Sequence, residues 1–143
     1  MKNIFGFCIC ILAISCLTLA PSPLSAADAE KKEWKIPADA RWFGGILEGD
    51  VVSKNVEEPS IVLKVKKVVK TLDGNRAKKA DMLKGEKAVI LTQPVFKDGK
   101  ILTDEKLAEF VKEVKVGASL EVTVKSDGLG RLRMIEVPKA IKK

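Results

Sequence analysis

Residues 61–69 read Ile-Val-Leu-Lys-Val-Lys-Lys-Val-Val, a run suited to a β-strand and poorly suited to a helix. Branched side chains lose rotamer freedom against a helical turn, whereas they pack well on a pleated surface. Ile61, Leu63 and Val65 alternate with Val62, Lys64 and Lys66, so one face is apolar and the other carries lysine. The doubled Lys66-Lys67 shifts that phase and predicts a bulge in the strand.

The segments on either side extend the pattern. Ile46, Leu47, Val51 and Val52 surround Gly44, Gly45 and Gly49, which predicts a curved or bulged first strand. Residues 55–59 read as a loop, Leu72-Asp73-Gly74-Asn75 as a turn, and residues 77–83 as a short helical turn stopped by Gly85. Val89, Ile90 and Leu91 make a third strand. Asp98-Gly99, between Phe96-Lys97 and Lys100-Ile101, is a two-residue hairpin signal. Thr103 is the expected N-cap of one helix, with Asp104 and Glu105 in its first turn, where carboxylates suit the dipole. Leu107, Phe110, Val111 and Val114 form its apolar stripe, Lys112 and Lys115 its last turn, and Gly117 its end. Leu120, Val122 and Val124 alternate with Glu121, Thr123 and Lys125 as a fourth strand. Asp127-Gly128-Leu129-Gly130 turns the chain into a fifth through Leu132, Met134, Ile135 and Val137.

The fold class expected is therefore mainly β with one helix. Strand, strand, strand, helix, strand, strand, with glycines in the first strand, resembles the OB-fold, a five-stranded Greek-key barrel with its helix between strands three and four. The resemblance rests on element order over residues 42–137 and on no residue motif. An alternative is a different small barrel, or a sheet with one helix packed across it.

Before this domain the chain opens with Lys2, an apolar run over residues 4–20, then Pro21, Pro23, Ser25, Ala26 and Ala27. A basic start, an apolar core and a small-residue exit make a secretory signal peptide, so residues 1–27 are expected to be removed and the product periplasmic or secreted. Cleavage is placed between Ala26 and Ala29. Cys8, Cys10 and Cys16 all lie in this leader, so the exported domain has no disulfide and relies on its hydrophobic core. Only an uncleaved leader or a lipidated Cys16 would tie the protein to a membrane. Residues 28–41 are polar and read as a flexible arm, leaving 42–143 as the barrel domain.

The composition excludes much chemistry. There is no histidine or tyrosine, and no cysteine beyond the leader, which removes serine–histidine and cysteine–histidine catalysis and imidazole or thiolate zinc sites. No mature serine has a lysine three residues on, so the serine–lysine motif is missing too. Gly128-Leu129-Gly130 lacks the third glycine of a nucleotide loop, and Asp73-Gly74-Asn75 meets Lys84 where a calcium loop needs glutamate. No cofactor, metal or catalytic residue is assigned. Carboxylates and lysines leave an enzyme as a distant third reading.

Charge points elsewhere. The net charge is +7, and residues 61–87 hold nine bases against three acids. If residues 61–71 are strand two of an OB-like barrel, its ligand face runs beside Lys64, Lys66, Lys67 and Lys70, with Arg76, Lys78, Lys79, Lys84 and Lys87 in or just past the following loop. These are the candidate ligand residues, attractive to an anionic envelope polymer or an acidic protein surface. The bland alternative is a solvated strand face whose lysines deter edge pairing. Single-stranded nucleic acid is disfavoured, because the segment has no aromatic platform for stacking bases. Trp42 and Phe43 are candidate partner contacts, to a sugar ring or a protein, or else plugs of the barrel end, and Trp34 is a third partner candidate. A structural or protein-interaction role in the cell envelope through these aromatics is the alternative function.

Overall fold

A computed structural model describes residues 33–141; the leader reading over residues 1–27, with its three cysteines, lies outside the described residues. Eight strands and one helix follow in the order β1 (Gly44–Asn55), β2 (Ser60–Thr71), β3 (Lys87–Thr92), β4 (Pro94–Lys97), β5 (Lys100–Thr103), α1 (Glu105–Glu113), β6 (Ser119–Ser126), β7 (Leu132–Met134) and β8 (Lys139–Ala140). Pairing runs β1-β2-β3-β7-β6, and β6 pairs again with β1, so five strands close into a barrel. The β3–β7 ladder is parallel and the others are antiparallel. This is the OB-like small barrel that the element order resembled. β8 adds a short extra strand to the free edge of β6.

Closure depends on β1 pairing along both edges, with β2 from Gly45 to Asn55 and with β6 from Gly44 to Asp50. A strand shared this way must bend, and its ladder with β2 is irregular at three places. One falls where Glu48 faces Lys67 and Gly49 faces Val65, leaving Lys66 as the extra residue, as its sequence phase predicts. Gly49 permits the closest approach: a Cβ there would land on the Lys64 carbonyl and crowd the Leu63 side chain.

Leu47, Val51, Ile61, Leu63, Val65, Ile90, Val122, Val124, Leu132 and Met134 fill the interior and are fully buried. Each large side chain removed from water contributes about 1.5–3 kcal/mol, and the described residues, which contain no cysteine, rely on that core. α1 packs Leu107 and Val111 against this core, joined by its C-cap residue Val114. Its N-cap is Asp104 instead of Thr103: the Asp104 carboxylate accepts from the Lys106 and Leu107 N–H groups at 3.0 and 3.1 Å, while Thr103 still belongs to β5. At the other end Lys54 of β1 donates its ammonium to the Lys112 and Val114 carbonyls, the latter at 2.8 Å, where positive charge suits the dipole.

The Asp98-Gly99 hairpin forms as read, with both residues at positive φ, 52° and 73°. It builds a separate two-stranded sheet, β4–β5, so α1 follows β5, although it still lies between the third and fourth barrel strands. The fifth barrel strand, β7, ends at Met134, short of Val137, and β8 follows it. Residues 33–41, within the stretch read as an arm, lie against the barrel: Ile36 and Ala40 are buried, Trp34 packs half-buried, and the Ile36 N–H donates to the Gly130 carbonyl at 2.8 Å.

Gly49→Ala is expected to cost about 2–3 kcal/mol, because backbone and not a flexible side chain blocks the added methyl group. Lys54→Met removes only the helix-end charge and its two hydrogen bonds, for about 1 kcal/mol. Urea unfolding of both variants beside the parent gives the comparison.

Candidate binding surface

All nine bases singled out in residues 61–87 are exposed, but they fall into two electrostatic settings. On β2 the register sets Lys64 opposite Asp50 and Lys67 opposite Glu48 of β1. The bulged Lys66 reaches Asp50 directly, with its Nζ 2.7 Å from one carboxylate oxygen. Ser119 of β6 donates its hydroxyl to the same carboxylate at 2.6 Å. Three strand lysines therefore stand beside a column of acids, and cross-strand pairs of opposite charge contribute about 0.2–1 kcal/mol each. Lys87 lies opposite Lys64 on the other edge of β2, and Lys70 lies opposite Ile46.

The connection from β2 to β3 carries the other setting. Its backbone is pinned: the Arg76 N–H donates to the Trp42 carbonyl at 3.2 Å, and those of Lys78 and Lys79 donate to the Asp39 carbonyl at 2.8 and 3.2 Å. The Asn75 side-chain oxygen accepts from the Gly44 and Ala77 N–H groups. Ala80–Leu83 forms a 3-10 turn inside the expected 77–83 stretch, with Leu83 buried. The Gly85 N–H then donates to the Val65 carbonyl at 2.8 Å. Arg76, Lys78, Lys79 and Lys84 thus project from a fixed loop, and none has an ion-pair partner among the described residues.

The two aromatics that enter β1 part company. Phe43 is 1% exposed and occupies the core, whereas Trp42 is 56% exposed. The Trp42 benzo ring lies over the 127–130 turn. At Gly128, where φ is +78°, an added Cβ would come within 3.1 Å of the indole. In front of Trp42 opens a cleft of about 560 Å³ between the start of β1, the 72–76 turn and the end of β6. Asp73, Asn75, Arg76, Lys125 and Ser126 supply its polar walls. Lys125 was not among the sequence candidates. Its only signal was the outward phase of β6, and Gly44↔Lys125 pairing brings it beside Trp42.

A second cleft of about 400 Å³ lies between the β1–β2 loop and the β4–β5 hairpin, lined by Glu57, Glu58, Ile101, Leu102, Arg131 and Arg133. Its guanidinium groups are already engaged. Asp127 accepts from Arg131 Nε at 2.8 Å and lies 3.4 Å from Arg133 Nε, and Arg133 also donates to the Thr92 carbonyl. Burial pushes the Asp127 carboxyl up, but the Leu129 and Arg131 N–H groups and the Arg131 guanidinium outweigh it and hold the group below its ordinary value. Asp127 therefore organises the turn on which Trp42 rests. Among the described residues no cluster of three or more Asp, Glu, Cys or His is placed to hold a metal ion, and no helix is long and apolar enough to cross a membrane.

A carboxylate with a lowered folded pKa stabilises the fold above the ordinary carboxylate range and loses that contribution as pH falls through the lowered value. Asp127→Asn is thus expected to cost about 1 kcal/mol near pH 7, and the gap between parent and variant should narrow as pH falls below the ordinary carboxylate range, as measured by thermal melts at a series of pH values.

No protein-family model, curated protein or solved structure matches the chain, so the reading of this surface rests on its own geometry.

Proposed function

We propose that the chain is an exported, non-catalytic binding module that holds an anionic polymer of the cell envelope against its basic face. The observation that carries the reading is the division of charge described above. On β2 Lys66 is paired with Asp50, and Lys64 and Lys67 stand across from Asp50 and Glu48. The pinned loop, which also carries Asp73, Asp81 and Glu86, presents Arg76, Lys78, Lys79 and Lys84 with no ion pair among the described residues. A surface of that kind attracts polyanions by long-range Coulombic steering and by counterion release. Lys70 and Lys87 extend it from the flanking strands. Export is taken from the sequence of residues 1–27.

An acidic protein surface would meet the same charges, and the alternative of an envelope interaction component would use the aromatics instead. Of its three candidates only Trp42 is well exposed: Trp34 is half-buried and Phe43 is in the core.

Replacing Lys78, Lys79 and Lys84 together by glutamate is expected to weaken binding of an anionic polysaccharide at low salt by more than about tenfold and to flatten its salt dependence. Replacing Lys64 and Lys67 by glutamine should cost less, since their charges already face acids. Isothermal titration at two salt concentrations makes the comparison, and undiminished binding by the loop variant would sink the reading.

A further inference from the structure

Trp42 rests one face of its ring on the 127–130 turn and leaves the rest open. An indole left 56% exposed forgoes much of the roughly 25 cal/mol per Å² that burial would contribute. Yet its position is closely defined. Its carbonyl accepts from the Arg76 N–H, the next residue, Phe43, is anchored in the core, and the Phe43 carbonyl accepts from the Ser126 N–H at 2.8 Å. Gly128 leaves space beneath the ring that any side chain would take. The chain thus fixes an aromatic plate at the mouth of a cleft instead of folding it inward.

The cleft's other walls narrow what would lie there. Arg76 and Lys125 bring two cations, Asn75 and Ser126 bring neutral polar groups, and Asp73 brings an acceptor. A plate beside groups that both donate and accept suits a sugar ring, whose axial C–H face packs on an indole while its hydroxyls reach outward. Asp127 is already engaged by Arg131 and Arg133, so Arg76 and Lys125 outweigh Asp73 there and favour a negative substituent on that ring. A nucleic-acid strand fits less well. Trp42 is the single exposed aromatic side chain lining the cleft, where a strand needs several platforms for successive bases.

We infer that the Trp42–Arg76–Lys125 cleft is a subsite for one acidic sugar unit, a pyranose bearing a carboxylate, stacked on the Trp42 indole. The inference rests on the polyanion reading and deepens it: the loop lysines would draw the polymer in, and the cleft would select a carboxylated glycan.

The test follows indole fluorescence of the chain carrying Trp34→Phe, so that Trp42 is the sole reporter, during titration with an oligogalacturonate and with its neutral methyl ester. A saturable change with the acid form is expected. Affinity should fall by about tenfold or more for the ester and for Lys125→Ala. Trp42→Ala, followed by calorimetry with an unchanged melting temperature as the fold control, should lose a similar factor. No change with the acid form at low salt overturns the inference, as does equal affinity for the ester. Trp42-dependent binding that prefers a single-stranded oligothymidylate over the oligogalacturonate also overturns it.

The two ideas fail separately. Binding that survives Trp42→Ala and Lys125→Ala but is lost when Lys78 and Lys79 become glutamate removes the subsite and keeps the polyanion face. The opposite pattern keeps the subsite and removes the face.

Discussion

The double ladder of β1 is the constraint on which the rest of this structure depends. One twelve-residue strand pairs with β2 along one edge and with β6 along the other, and without the second pairing the sheet would be open. The bend this demands is met by irregular pairing with β2 and by Gly49, where the Lys64 carbonyl comes too close for a side chain. From that bend follow the enclosed core, the seat of α1 on it, and the meeting of Gly44 with Lys125 at the rim beside Trp42. The candidate site is thus a by-product of how the barrel closes.

Charge is arranged with the same economy. β2 lysines that look like an isolated basic stripe in one dimension sit next to Glu48 and Asp50 once the strands are paired. Cross-strand placement sets acids beside that stripe, whereas the bases of the following loop, held by backbone hydrogen bonds to Asp39 and Trp42, form no ion pair among the described residues. Three of the strand's four lysines find their acids on the neighbouring strand, whereas the loop's four bases share their own segment with Asp73, Asp81 and Glu86.

Much of the fold was legible because it is written in local chemistry. Period-two alternation marked β2 and β6, Asp98-Gly99 marked the hairpin, and the Lys66-Lys67 phase shift marked a bulge. The helix cap slipped by one residue because Thr103 and Asp104 are both good caps, and the choice turns on β5 keeping Thr103 in its ladder. The burial of Ile36 and Ala40 was not legible, since two isolated apolar residues among polar and charged ones give no periodic signal. The site was legible in part. Trp42 and the loop bases stood out by type, but Lys125, far along the chain, reaches the cleft only through β1–β6 pairing. Composition likewise could not separate Phe43 from Trp42, because alternation assigns faces only once the strand's inward phase is known.

The β1–β6 seam also sets an order of events in time. Synthesis begins at the N-terminus, so β1 and β2 are available as a hairpin while the helix and β6 are still unmade. Until β6 arrives, the second edge of β1 presents unpaired backbone groups, the kind of edge on which chains of one sequence associate. Contacts this distant in sequence form slowly, because a long loop must close before they stabilise anything. The lysines of β2 and the acids of β1 then have a role before any ligand is met: a charged hairpin stays in solution long enough to be completed.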